Sequence, residues 1–254
     1  QGEIHSKNKL KHKSNKSNIH SNKAQYTIII LLSIISIYFF LQSPFFAVDK
    51  IYVAGTQRLT VNEVLSLAQV QPGENILKLK SQRIKELLMT HPWIREAEIN
   101  ITLPSTVTIN VIERRAEAVL IIESNYYVVD DEGIVMRQIQ NLAEILLPTI
   151  TGLNISHQVN EGDKLVSKEA NTALTTLAAL PEDLKNNVSE LSVSDGLNLF
   201  LTGGMEIKLG GDEKIADKLK MLSDIYNNTD EQILDQIKYI DLRFTGPPII
   251  KYGN

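Results

Sequence analysis

The chain has 254 residues, 43% of them hydrophobic and 22% charged, enough to bury one or two cores. It carries no cysteine, which excludes disulfides, thiol nucleophiles and cysteine-ligated metals, so its folded parts must be held by apolar packing. The formal charge of −4 conceals a division: residues 1–25 hold six basic residues and one acid, while the remainder holds 20 and 29, a net −9.

Residues 1–25 are rich in Lys, Asn, Ser and His, with almost no apolar side chains, and read as a disordered tail. His5, His12 and His20 have no regular metal-ligand spacing. The sequence begins with Gln rather than Met, which leaves its natural N-terminus open. Tyr26 to Phe46 follows without a single Asp, Glu, Lys or Arg. As a helix rising about 1.5 Å per residue, it spans roughly the 30 Å of a bilayer's hydrocarbon core. A cleaved signal would need small residues before the cut; here Pro44 blocks a cut after Ser43, and Phe45 occupies the third position back from a cut after Ala47. The stretch therefore reads as an uncleaved signal anchor. Lys7, Lys9, Lys11, Lys13, Lys16 and Lys23 precede it, so the tail is expected in the cytoplasm and the rest of the chain outside. The basic tail reads as a topology signal rather than a nucleic-acid arm.

Val48, Ile51 and Val53 form a short strand before the turn at Ala54-Gly55. Thr60 with Glu63 makes a capping box ahead of Val61, Val64, Leu65 and Ala68 at helical spacing. Ile76 and Leu77 are expected to touch the core, and Ser81 opens a second helix with Ile84, Leu87 and Leu88. Pro92 disfavours helical geometry at His91 and ends it. Trp93, the one tryptophan, reads as a core plug rather than a ligand platform. Ala97, Ile99, Ile101 and Leu103 then alternate with polar residues, as do Val107, Ile109 and Val111 after the turn at Pro104-Ser105. The order is strand, helix, helix, strand, strand: helices over one face of a small sheet.

The stretches FAVDKIYVAGTQRLTVNEV, QPGENIL, HPWIREAEI and LPSTVTINVIER, with Ala118 beyond them, resemble the FtsQ/DivIB family of bacterial division proteins. The unit from 47 to 116 is similar to that family's POTRA domain, a polypeptide-transport-associated module. The sequence departs from the family's usual pattern at Ile101, often basic, and at Ala116, usually proline.

The second unit runs from 117 to 254. Val119–Ile122 and Tyr126–Val129 read as paired strands, and Asp130-Asp131-Glu132-Gly133 as an acidic turn without the alternating ligands of a calcium loop. Leu147 to Gly152 resembles the family's L-P-x-I-x-G segment. Ser167 caps a helix containing Ala170, Leu174 and Leu177, and 198–200 with 205–209 reads as a hairpin around Gly203-Gly204. Gly210-Gly211-Asp212 lacks a phosphate-loop lysine and reads as a tight turn, with Asp212 capping a helix through Ile215, Leu219, Leu222 and Ile225.

Ile240, Leu242 and Phe244 alternate with Asp241 and Arg243, a strand with one buried face, until Pro247-Pro248 interrupts pairing or shifts it to an edge. The segment resembles the family's Y-I-D-L-R-[YF] signature. The resemblance implies an α+β fold: one transmembrane helix, a POTRA domain (βααββ), then a mixed, mainly antiparallel β domain with helices. It implies a non-catalytic scaffold, without cofactor or metal, placed at the division septum. Its partners would be the FtsB/DivIC and FtsL coiled-coil pair, bound by strand addition, and through them the septal peptidoglycan synthases. Tyr239, Asp241, Arg243, Phe244 and Tyr252 are then the partner-binding residues, with Arg243 facing an acid and Phe244 an apolar anchor. By parity with Ile240 and Leu242, Phe244 reads equally as core. The alternative function, a membrane-anchored enzyme acting on the cell wall, finds no G-x-S-x-G elbow, H-E-x-x-H helix or cysteine nucleophile here. A transport chaperone would need repeated POTRA units or a barrel, and neither pattern is present in the sequence.

Overall fold

The computed structural model describes residues 18–156, 158–244 and 246–253. Helix α1 runs Asn18–Leu41, so it begins well before Tyr26; the rest of the expected disordered tail, residues 1–17, lies outside the described residues. Its stretch Lys23–Leu41 is long and apolar enough to cross a membrane by length and composition. The helix does not continue to Phe46. Pro44 cannot follow a helical residue comfortably, and a single 3-10 turn, Pro44–Phe46, replaces the last α turn. Phe40, Phe45 and Phe46 cluster there, with ring centroids 5.1 to 6.0 Å apart.

Strand β1 (Lys50–Ala54), helices α2 (Val61–Ala68) and α3 (Ser81–Met89), and strands β2 (Ile94–Thr102) and β3 (Thr106–Glu113) follow in the expected order. The three strands form one sheet in the order β1-β3-β2. The capping box is in place: Thr60 Oγ1 accepts from the Glu63 amide, and Glu63 Oε2 accepts from the Thr60 amide at 2.7 Å. Val64, Ala68, Ile84, Leu88, Ile109 and Val111 are buried, as the two periodicities require. Gly55 sits at φ +87°, where a Cβ would overlap the Val111 carbonyl, so this turn demands glycine.

Four apolar side chains depart from expectation, the first being Val61 of α2, 46% exposed. Ile76 is buried but its neighbour Leu77 is 43% exposed, and Leu103, the last of the alternating series, is 57% exposed. Trp93 is half-buried rather than a plug; Ile94 fills the core, and the Arg58 guanidinium lies 4.5 Å above the indole.

The rest of the chain builds a nine-stranded sheet in the order β12-β11-β10-β9-β8-β7-β4-β5-β6. Its strands are β4 (Ala118–Ile122), β5 (Asn125–Val129), β6 (Val135–Ile139), β7 (Thr149–Thr151), β8 (Val188–Ser192), β9 (Leu197–Leu201), β10 (Glu206–Gly210), β11 (Ile237–Asp241) and β12 (Ile249–Tyr252). Five pairings are antiparallel; β4/β7, β7/β8 and β10/β11 are parallel. Parallel neighbours need crossover connections. Helices α4 (Lys168–Ala178) and α5 (Glu182–Lys185) supply the one between β7 and β8; α6 (Ile215–Asn228) and α7 (Glu231–Leu234) supply that between β10 and β11. Leu174 and Leu177 of α4 and Leu219 and Leu222 of α6 join Leu191, Ile207 and Ile240 in one core.

Asp212 does not cap α6. The N-cap is Lys214, in the left-handed region at φ 54°, and Asp212 instead approaches Lys168 at 3.4 Å. The acidic turn is also more than a turn. Asp130 is fully buried, pairs with Arg114, and accepts the amides of Glu132 and Ile134 at 3.0 and 2.8 Å. Arg114 also reaches Glu132 at 2.7 Å, and Arg95 on β2 reaches Asp131 and Glu132 at 3.0 and 3.1 Å. Arg95 on β2 and Arg114 directly after β3 thus clasp three consecutive acids of the turn between β5 and β6. These guanidinium contacts hold the Glu132 carboxyl below its ordinary range, Arg114's hydrogen bond contributing most. Among the described residues, no group of His, Asp and Glu has a metal-binding arrangement.

Candidate protein-binding edge

A sheet of nine strands has two ends. At one end, the segment 162–165 bonds to β6 and the turn before it, through Gly162 and Asp163 with Val135 and Leu165 with Gly133. At the other, β12 pairs with β11 on one side only; among the described residues no further main-chain hydrogen bond reaches residues 249–252. Alternate amides and carbonyls of an unpartnered edge strand point outward, ready to receive another strand. The open edge is therefore β12 and not β11. β11, which holds Tyr239 and Asp241 of the expected partner-binding residues, is enclosed by β10 and β12.

The register explains which side chains gather here. Glu206 lies opposite Tyr239 and Lys208 opposite Asp241 across the parallel β10/β11 pair, and Ile249 opposite Asp241 across β11/β12. Pairing shifts between Ile237 and Tyr239, an irregularity that lets both Ile237 and Ile240 reach the core while Tyr239 and Asp241 take the other face. Lys208 Nζ stands 4.8 Å over the Tyr239 ring. The Asp241 side chain is 7% exposed and binds Arg243 in a fork: Nε at 3.0 Å to Oδ1 and Nη2 at 2.7 Å to Oδ2, with the Arg243 amide at 3.1 Å. Arg243's hydrogen bonds hold the Asp241 carboxyl below its ordinary range, against the opposing effect of burial.

Phe244 is 68% exposed, with the Arg243 guanidinium 5.4 Å from its ring. The core alternative for Phe244 fails because β11 ends at Asp241; the chain bends at Arg243 and Phe244, so strand parity no longer applies. Tyr252 is 49% exposed and lies opposite Ile237, at the far end of β12 from Phe244. Tyr239, Asp241, Arg243 and Phe244 thus come together, while Tyr252 stands apart from them along the same edge. Two edge residues went unnoticed in the sequence: Ile249, 53% exposed, and Lys251 opposite Tyr239. The signal for them was the apolar pair directly after Pro247-Pro248.

An apolar helix, a βααββ unit of three strands, and a mixed sheet with one open edge define a POTRA-bearing protein with a candidate surface for strand addition. The model described as POTRA domain, FtsQ-type, matches residues 46–114, and the one described as cell division protein FtsQ/DivIB, C-terminal, matches residues 118–243. The chain is 30% identical over 216 residues to a cell division protein FtsQ of Syntrophotalea carbinolica, covering 82% of this chain and 75% of that one. A cell division protein FtsQ of Geobacter sp. strain M21 is 29% identical over 213 residues (80% and 75%), and a cell division protein DivIB of Clostridium tetani 25% over 227 (87% and 85%). The chain belongs to the FtsQ/DivIB family of bacterial cell division proteins.

Proposed function

We propose that this division protein is a single-pass, non-catalytic scaffold of the septal machinery. The basic tail lies in the cytoplasm, α1 spans the membrane, and the POTRA unit (47–116) and β unit (117–254) stand outside. The supporting physics is the lysine excess before the apolar helix and the acidic balance after it. At the open edge, the chain receives a strand from the FtsB/DivIC partner, itself coiled with FtsL, and through that pair influences the septal peptidoglycan synthases. Main-chain bonds along β12 give adhesion; Phe244, with Tyr239 and Tyr252, gives apolar contact, and the Asp241–Arg243 fork sets charge and register. The observation that carries this reading is an exposed phenylalanine in the connection that leads into the open edge strand of the sheet.

The test is binding of the full chain, reconstituted in lipid, to the ectodomain pair of those partners. Phe244→Glu weakens binding about tenfold or more, roughly 1.4 kcal/mol, while circular dichroism shows an unchanged fold. Full affinity in a folded Phe244→Glu protein moves the site elsewhere, and no binding by the natural chain refutes the partner assignment. Release of peptidoglycan fragments by the purified protein would restore the wall-enzyme alternative.

A further inference from the structure

One compact unit gathers the end of α1, the beginning of β1, the loop 71–80 and the turn 100–108. Asn75 is the knot of this unit. Its Nδ2 donates to the carbonyl of Leu41, the last residue of α1, at 2.6 Å, and its backbone bridges Ala47. The Val48 amide bonds Glu74 and its carbonyl accepts from Gly73, both at 2.8 Å; the amides of Asp49 and Lys50 bond Ser105 at 2.9 and 3.2 Å. Leu77 is two residues from Asn75, and Leu103 two residues from Ser105. Leu77 is therefore held close to the end of the apolar helix, and Leu103 close to the chain that leads from it into β1.

The core pattern does not explain the exposure of either side chain. Beyond α1, the large apolar side chains exposed among the described residues of this unit are Phe45 at 59%, Tyr52 at 56%, Leu77 at 43% and Leu103 at 57%. Exposed Lys50, Lys78 and Lys80 stand among them, against Asp49 and Glu74. A soluble rim would not need four large apolar groups, whereas a rim touching lipid would. Aromatic rings favour the headgroup level, and lysine stems lie along apolar surface with the ammonium toward phosphate.

We propose that this base of the POTRA unit rests in the outer interface of the same bilayer, with Tyr52, Leu77 and Leu103 inserted at headgroup depth and the three lysines meeting anionic lipid. The occupant is a lipid surface because the patch continues from α1 through its aromatic end. The inference rests on the reading of α1 as a membrane span, and its test separates the two. The full chain carrying Trp93→Phe is placed in phosphatidylethanolamine/phosphatidylglycerol vesicles containing lipid brominated near the headgroup. Single tryptophans are introduced by Tyr52→Trp, Leu77→Trp or Leu103→Trp, with Phe39→Trp inside α1 and Met221→Trp on α6 as references. Emission at 52, 77 and 103 falls to an extent comparable with 39, and emission at 221 is unchanged. Quenching at 39 without quenching at 52, 77 and 103 overturns the proposal and leaves the span standing. No quenching at 39 removes the span, and this proposal with it. The conservative Tyr52→Trp keeps the outcome decisive if a leucine variant alters the fold.

Discussion

The Asp241 carboxylate is nearly inaccessible, yet its charge is tolerated because one arginine two residues on supplies both a fork and an amide. Removing that charge tests how far the pair stabilises the bend that presents Phe244. Asp241→Asn is expected to lower unfolding free energy by about 1.5–3 kcal/mol at neutral pH, the usual effect of losing hydrogen bonds to a charged group. Since the folded carboxyl titrates below its ordinary range, the wild-type advantage is complete above the unfolded value of about 3.9. It shrinks as pH falls below that and is gone beneath the folded value. Urea melts of both proteins at pH 7 and at several acid pH values check the sign: curves that diverge on acidification contradict it.

At the scale of elements, the strongest local signals in the sequence were also the accurate ones. Thr60 and Glu63 form the box their spacing announces, and Val107, Ile109 and Val111 turn inward as their alternation requires. What failed were statements depending on where an element stops or on what lies opposite it. Phe244 reads equally as core or interface in the sequence because nothing in the alternating pattern reveals that pairing ends at Asp241. Asp212 reads as a cap because it precedes an apolar helical pattern, but the helix starts later, after Lys214. The clasp was invisible for a different reason. Arg95 and Asp131 are 36 residues apart, and no local rule joins them. Its energetic weight is measurable. Arg114→Ala leaves Asp130 buried without its cation and is expected to cost about 3–5 kcal/mol, far beyond an exposed pair. Combining Arg114→Met with Asp130→Asn should cost less than Arg114→Ala alone, because no buried charge is then stranded. Thermal and denaturant melts of the three proteins decide it; equal losses would mean that packing, not charge, holds the junction.

The whole molecule ends its large sheet in two unequal ways, one edge bonded to a crossing segment and the other left to a strand of four residues. That strand protects β11, and Ile250 packs against the core beside its partner Ile240. A chain ending after Pro248 should therefore leave β11 as an unpaired edge, uncover Ile240 at the core margin, and associate with itself. Light scattering during refolding distinguishes this from a β12 that serves only the partner, for which the shortened chain would stay monomeric. The brevity of β12 has a further consequence. Four residues can offer few main-chain bonds, so an added strand would be held loosely and exchange quickly. For molecules confined to one membrane plane, several loose contacts made together become durable through high effective concentration, while each alone stays reversible. An assembly joined by such a short seam can gather only where its components are already crowded, and it can disperse when that crowding ends.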